Sequence, residues 1–143
     1  MSDIERVIKE NKTNLNPVWI MRQAGRYLPE FREIREKNKD FIKLCLNKEL
    51  STEITLQPLK RFELDAAIIF SDILMIPYGI KQEVKFKKNF GPILGDININ
   101  EIAKLEENEF TKKLNPIYQA IDLVKKDKLT TDKSTIGFVG APN

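Results

Sequence analysis

Apolar runs separated by amphipathic segments divide the 143-residue chain into alternating predicted strands and helices. The apolar runs predict strands at 18–21, 66–70 and 135–139, because strands of a parallel sheet covered on both sides are apolar throughout. Long helical segments separate the three runs, so the order is strand, helix, strand, helix, strand. Such crossovers are typical of parallel strands with right-handed connections. The pattern therefore predicts an α/β protein.

The amphipathic segments predict five helices. The first covers 2–11 with Ser2 or Asp3 near its cap, and the second starts at Pro29 and continues to Lys37. Asp40 can cap a short third helix that extends through Leu46. Leu46, Leu50 and Ile54 recur at a spacing of four and predict the face of a fourth helix, which extends to about Phe62 with Pro58 as a kink. Spacings of three and four predict a fifth helix from Phe110 to Val124, which Pro116 could restart.

The segment 73–94 does not follow either periodicity. Pro77, Gly79, Gly91 and Pro92 interrupt it, and residues 84–86 alternate as a short strand does. The sequence predicts an elaborated loop that contains a small hairpin.

Two arginines, Arg22 and Arg26, flank Gly25 directly after the first predicted strand. Guanidinium groups suit planar, bidentate contact with carboxylate or phosphate, and glycine permits backbone angles that other residues resist. The pattern indicates an anion-binding loop at a strand end. A solvated surface loop with two ordinary arginines is the alternative, and the spacing alone does not decide between them.

Asp72 follows the second predicted strand and precedes three apolar residues. A carboxylate at an apolar rim costs free energy unless it is paired, which favours a functional role. The alternative is an aspartate that caps the following turn. Asp65 begins the same strand at its other end, where we expect a structural role. We expect Trp19 to lie in the core.

Composition excludes several classes of function. The 24 basic and 21 acidic residues give a net charge of +3, too small to indicate nucleic-acid binding. The chain has no histidine and one cysteine, Cys45, so Ser-His-Asp and Cys-His catalysis and the usual zinc sites are excluded. No glycine-rich phosphate loop is present. Without a signal peptide or an apolar run of about 20 residues, a cytoplasmic protein with no membrane contact is predicted.

Three segments resemble the uroporphyrinogen decarboxylase family. They are PVWIMRQAGRYLPEF at 17–31, DAAIIFSDIL at 65–74 and IGFVGAP at 136–142, and they occur in the family's order. The resemblance implies a (β/α)₈ barrel, of which this chain would form the first three β/α units, incomplete as given. It also implies that 1–143 belongs to a single barrel domain without a separate second domain.

Length separates this chain from a complete barrel. Such barrels take roughly 250 residues, and in the family the pattern continues after Ala141-Pro142 with Trp-Thr, whereas here Asn143 occupies the Trp position. We therefore expect the N-terminal portion of a larger protein, truncated or fragmentary. A self-sufficient small α/β protein is the alternative.

The resemblance also implies a function, which is cofactor-independent removal of carbon dioxide from the four acetates of uroporphyrinogen. It assigns Arg22, Gln23, Ala24, Arg26 and Asp72 to substrate binding, and Asp72 and Arg22 to catalysis. A substrate carboxyl group or water is an alternative proton donor to Arg22. The strand ends would bring these residues to one mouth of the barrel.

The resemblance further implies a homodimer and no metal. Two alternative functions remain, a non-catalytic remnant of the same fold and a related cobalamin-linked methyltransferase. The intact arginine loop argues against the methyltransferase.

Overall fold

A computed structural model describes residues 1–87 and 90–140. In chain order, the helices are α1 Asp3–Glu10, α2 Pro29–Lys37, α3 Phe41–Cys45, α4 Lys48–Arg61, α5 Met75–Gly79, α6 Ile99–Ile102 and α7 Glu107–Lys126, and the strands are β1 Ala66–Ile68, β2 Val84–Lys87, β3 Gly91–Leu94 and β4 Ser134–Ile136. Two compact units result. The first contains Met1–Ser71 and Pro116–Phe138, and the second contains Asp72–Asn115 with Val139 and Gly140.

Helices α1, α3 and α4 begin with side-chain caps, and those of α1 and α3 are the ones that the sequence predicts. Ser2 and Glu5 form a reciprocal capping box at α1. Pro29 is the first residue of α2, and Asp40 accepts a hydrogen bond from the Lys43 N–H at the start of α3. Asn47 caps α4 in the same way. These caps satisfy backbone donors that the first turn of a helix leaves unpaired.

Helix α4 lies at the centre of the first unit. Its Leu56 and Leu59 pack with β1 and Val124, and its Ile54 packs with Leu28 and Phe31 in a second cluster. Pro58 lies inside the helix, which continues to Arg61. Leu46 falls between α3 and α4, so the predicted continuous face Leu46, Leu50, Ile54 is wrong at its first position.

The two strands of the first unit, β1 and β4, are parallel and in register from Ala66 opposite Ser134 to Ile68 opposite Ile136. Ala66 and Ala67 are fully buried, and their small side chains allow helices to approach β1 closely. The parallel pairing that the sequence predicts is confirmed, with each strand shorter than its apolar run.

The first predicted strand, 18–21, is not formed. Val18 and Met21 are 54% and 75% exposed, and the segment is extended without a ladder. A backbone hydrogen bond from the Asp65 N–H to the Val18 carbonyl joins it to the residue directly before β1. The next acceptor on β1, the carbonyl of Ala66, instead receives the side-chain amide of Gln23. This side chain therefore takes the place of a strand hydrogen bond.

Trp19 is also not in the core. It is 43% exposed, and together with α1 and β4 it lines a cleft of about 760 Å³ in the first unit. The segment around Trp19 forms no strand ladder, and a ladder is what would direct the indole toward the core.

The second unit contains the hairpin that the sequence predicts. Strands β2 and β3 pair antiparallel, with Val84 opposite Leu94. Helix α5 occupies residues that the sequence predicts as loop. Pro77 is the third residue of α5 and lies in its first turn, where a proline interrupts no helical hydrogen bond. At the end of α5, Gly79 packs against α7, where an added Cβ would lie 2.5 Å from a ring carbon of Phe110.

Helix α7 continues through Pro116, so the alternative of a restart there is wrong. Ala141 and Pro142, the end of the third family segment, lie outside the described residues. None of the helices in the described ranges is long and apolar enough to cross a membrane.

Candidate functional site

The loop between the extended segment and α2 presents the two arginines that the sequence selects. The side chains of Arg22 and Arg26 are both exposed. Within residues 1–87 and 90–140, neither guanidinium forms an ion pair or a side-chain hydrogen bond. Two cations of one loop are therefore free to bind an anion.

Gln23 lies between these arginines in sequence and is buried, with 2% of its surface exposed. Its Oε1 accepts a hydrogen bond of 3.0 Å from the Ile20 N–H, and its Nε2 donates one of 2.9 Å to the Ala66 carbonyl oxygen. Its own carbonyl accepts a hydrogen bond from the Tyr27 hydroxyl. The side chain thus joins the loop to β1.

Tyr27 and Arg32, which are not among the predicted site residues, hold the far end of the loop. Besides its bond to Gln23, Tyr27 has a raised pKa, first because of burial and then because of Glu30. Arg32 donates from Nη1 to the carbonyls of Arg26 and Tyr27, at 2.8 and 3.1 Å. The sequence signal for Arg32 is its place one turn into α2, because a long side-chain donor there can reach back to the carbonyls that precede Pro29.

The predicted conformational role of Gly25 is wrong. Its backbone lies outside the left-handed region, and an added Cβ would lie 3.6 Å from a ring carbon of Tyr27, an ordinary contact. Ala24 is half-buried and packs against the cluster that contains Leu28 and Ile54. Its methyl group is therefore part of the support of the loop.

An ion pair joins α2 to α4 beneath the loop. Nε and Nη2 of Arg61 donate to the two carboxylate oxygens of Glu30 at 2.6 and 2.8 Å, a bidentate arrangement. The hydrogen bond from Arg61 is the main reason that the pKa of Glu30 is lowered from 4.5 to about 2, and the same contact raises the pKa of Arg61.

Asp72 belongs to the second unit. Its Oδ1 accepts a hydrogen bond of 2.8 Å from the Leu74 N–H, and its carbonyl accepts one of 3.1 Å from Met75. The side chain therefore caps the turn that precedes α5, which is one of the two roles that the sequence left open. The cap uses one carboxylate oxygen. In the part of the chain that the structure describes, Asp72 has no ion pair, so Oδ2 is available to a ligand.

The comparisons with known proteins decide the family. The profile described as Uroporphyrinogen decarboxylase (URO-D) matches residues 1–143. The chain is 46% identical over 142 residues to the uroporphyrinogen decarboxylase of Rickettsia felis, covering 99% of this chain and 40% of that protein.

Two further uroporphyrinogen decarboxylases match 88% of this chain. That of a Chelativorans species is 47% identical over 126 residues, which is 36% of its length. That of Brucella ovis is 45% identical over 126 residues, 37% of its length. The chain belongs to the uroporphyrinogen decarboxylase family.

Within this family the chain spans between a third and two fifths of the length of the curated relatives it matches. Membership confirms the resemblance given by the three segments. The α/β architecture fits the fold of this family, a (β/α)₈ barrel, in which sites form at the carboxyl ends of strands. Arg22, Gln23, Ala24 and Arg26 share one loop, and the substrate contacts predicted for these residues and for Asp72 stay predictions.

Proposed function

We propose that this chain forms the first three β/α units of a uroporphyrinogen decarboxylase barrel and carries part of its active site. The complete protein would convert uroporphyrinogen III to coproporphyrinogen III in haem biosynthesis. The observation that supports this most directly is the pair of exposed guanidinium groups of Arg22 and Arg26, which are unpaired within the described residues, in a chain that belongs to this family. In this proposal the segment 18–21 occupies the position of the first strand of the barrel, and 1–143 belongs to one domain.

The substrate explains the residue types. Uroporphyrinogen is a flexible tetrapyrrole with four acetates and four propionates, so its orientation requires cations that bind carboxylates. Arg26 binds one of these carboxylates from the ground state onward, and Arg22 binds another close to the reacting pyrrole. Backbone groups of Gln23 and Ala24 complete the contact. Gripping the substrate at several carboxylates holds one acetate in the geometry that reacts.

Each decarboxylation proceeds by acid catalysis on the pyrrole itself. A ring carbon takes a proton, which gives a cation. The bond between the acetate methylene and its carboxylate then breaks, carbon dioxide leaves, and the electron pair forms an exocyclic methylene while neutralising the ring. A proton adds to that methylene to give a methyl group, and the ring carbon loses its extra proton. The balance for each acetate is one proton consumed and one carbon dioxide released, so no cofactor is needed.

Asp72 stabilises the cation. Its Oδ1 is fixed by the Leu74 N–H, which leaves Oδ2 to accept hydrogen bonds from pyrrole N–H groups. A carboxylate that is already oriented stabilises developing positive charge without reorganisation, an effect worth about 3–4 kcal/mol in comparable sites. Arg22 is the candidate proton donor, with a substrate carboxyl group or water as the alternative.

The test is a chimera in which this chain replaces the aligned 142 residues of the Rickettsia felis enzyme. We expect the chimera to release coproporphyrinogen from uroporphyrinogen. The remaining part of the Rickettsia felis protein without this chain is the matched control, and it should be inactive. The 143-residue chain by itself should also be inactive, because the other walls of the pocket would be missing. A folded chimera that forms no less-carboxylated product would contradict the proposal.

The proposal includes two further expectations. The complete protein acts in the cytoplasm and forms a homodimer. The molar mass of the chimera in solution tests the second.

A further inference from the structure

We infer that Gln23 acts through its side chain as a positioning residue: the buried amide fixes the backbone around Arg26 and affects substrate binding through that arginine without touching the substrate. The effect of Gln23 on substrate binding rests on the proposed function. Its effect on the loop, which is the structural part, concerns the chain alone.

The first step is the burial of the amide. Gln23 is 2% exposed, while Arg22 and Arg26 on either side of it are exposed. Both ends of the side chain are already hydrogen-bonded, Oε1 to the Ile20 N–H and Nε2 to the Ala66 carbonyl. A substrate carboxylate could reach this amide only if the loop left β1, which would break both bonds.

The second step is what these bonds replace. Among the described residues, the extended segment before the loop has one backbone hydrogen bond toward the sheet, from the N–H of Asp65, directly before β1, to the Val18 carbonyl. The Gln23 side chain supplies the next tie, five residues later, at Ala66. Without it, Val18 would make all the hydrogen bonds that join residues 18–23 to Asp65 and β1 within the described residues.

The third step links the tie to Arg26. The hydroxyl of Tyr27 donates to the Gln23 carbonyl, and Leu28 N–H donates to the Gly25 carbonyl at 3.0 Å. Gln23 and Tyr27 thus close the turn that contains Arg26, while Arg32 caps the Arg26 carbonyl. A guanidinium that must meet a carboxylate in one orientation gains affinity when its backbone is fixed beforehand.

The structural part is tested on the 143-residue chain by amide hydrogen exchange. Gln23→Met keeps the volume but removes both hydrogen bonds. We expect the Ile20 amide to exchange about tenfold faster in this variant, since its acceptor is lost. Thr130→Val is the matched control, because the buried Thr130 hydroxyl also donates to a backbone carbonyl, that of Asp127 at 2.9 Å. Unchanged exchange at Ile20 in Gln23→Met, or equal acceleration in both variants, would overturn the inference.

The kinetic part is tested by a double-mutant cycle in the chimera. Gln23→Met should raise KM about tenfold and change kcat less than about twofold, because it weakens binding that is present before the reaction begins. In an Arg26→Ala background, the same change should raise KM less than about threefold, because the residue it positions is gone. A direct substrate contact predicts the same tenfold rise in both backgrounds, and that result would overturn the inference.

Tyr27→Phe provides a milder second variant. It removes only the hydroxyl that holds the Gln23 carbonyl, so folding should be retained. KM should rise in the same direction, by about threefold, and again only when Arg26 is present. A rise that persists in the Arg26→Ala background would count against the positioning role.

The two parts fail separately. A chimera without turnover would contradict the proposed function, while hydrogen exchange at Ile20 would still decide whether Gln23 fixes the loop. An active chimera in which the effects of Gln23→Met and Arg26→Ala multiply would leave the function standing and reject the inference.

Discussion

The carboxylate of Asp65 accepts a hydrogen bond of 2.6 Å from the Val18 N–H, and the Asp65 N–H donates one of 2.9 Å to the Val18 carbonyl. The residue directly before β1 therefore holds both backbone groups of a residue in the extended segment. The Asp65 carbonyl also accepts from Ser134 at the start of β4. This agrees with the structural role expected for Asp65 from its place at the amino end of the strand.

Asp65→Ala should loosen the extended segment. Loss of the side-chain acceptor should cost about 1 kcal/mol of unfolding free energy and should accelerate hydrogen exchange at Val18. Asp65→Asn, which keeps an acceptor oxygen, should retain most of the protection. If Val18 exchanges at the same rate in Asp65→Ala as in the wild type, the side-chain bond does not hold this segment.

The Glu30–Arg61 ion pair predicts a dependence of stability on pH. The Arg61 hydrogen bond lowers the pKa of Glu30 from 4.5 to about 2, so the folded state favours the ionised carboxylate. The contribution to stability is complete above pH 4.5 and is lost as the pH falls from about 4.5 to about 2.

Melting temperatures of the wild type and of Glu30→Gln between pH 7 and pH 2 measure this contribution. The difference between the two should be largest at neutral pH and should disappear near the lower limit. Glu36→Gln, which changes an exposed glutamate of the same helix, is the control and should follow the wild type. A constant difference between wild type and Glu30→Gln over the whole range would show that the pair does not set the pH dependence.

Gly79→Ala should destabilise the second unit. The new Cβ would lie 2.5 Å from a ring carbon of Phe110 and 3.0 Å from Leu114, so α5 and α7 would have to separate. We expect a loss of about 1–3 kcal/mol in the unfolding free energy measured by denaturant titration. Gly137→Ala is the matched control, because a Cβ there meets open space. Equal stabilities of the two variants would mean that Phe110 and Leu114 move away from the new Cβ without a loss of unfolding free energy.

Arg26→Ala should weaken substrate binding in the chimera. Its partner carboxylate is present before the reaction starts, so KM should rise about 10- to 100-fold with little change in kcat. Arg6→Ala removes an exposed arginine on α1 that pairs with Asp3, and its KM should stay at the wild-type value. An unchanged KM in Arg26→Ala would remove this arginine from the binding site.

The sequence predicts the helices well because their signals are local. Ser2, Pro29 and Asp40 lie where caps and first residues are expected, and the structure confirms all three. The run at 18–21 shows the opposite case. Its apolar residues indicate a strand, but a strand forms only when a neighbouring backbone supplies a ladder, and this depends on residues distant in sequence.

The candidate site was predictable where its signals are local in sequence. The arginine pair is visible as a motif, and so is Asp72. The hydrogen bonds of Gln23 to Ile20 and Ala66 are not, because the contact between residues 23 and 66 depends on where the chain returns. The resemblance assigns Gln23 to substrate binding through its backbone or its amide, and the structure buries the amide.

The measurement that tests the account most directly is the turnover of uroporphyrinogen by the chimera with and without Asp72→Asn. Asparagine can still cap the turn at Leu74, but it lacks the charge that would stabilise the pyrrole cation. We expect kcat to fall about 10²- to 10³-fold while KM changes less than about threefold. An Asp72→Asn chimera that retains the wild-type kcat would contradict the assignment of this carboxylate to the decarboxylation.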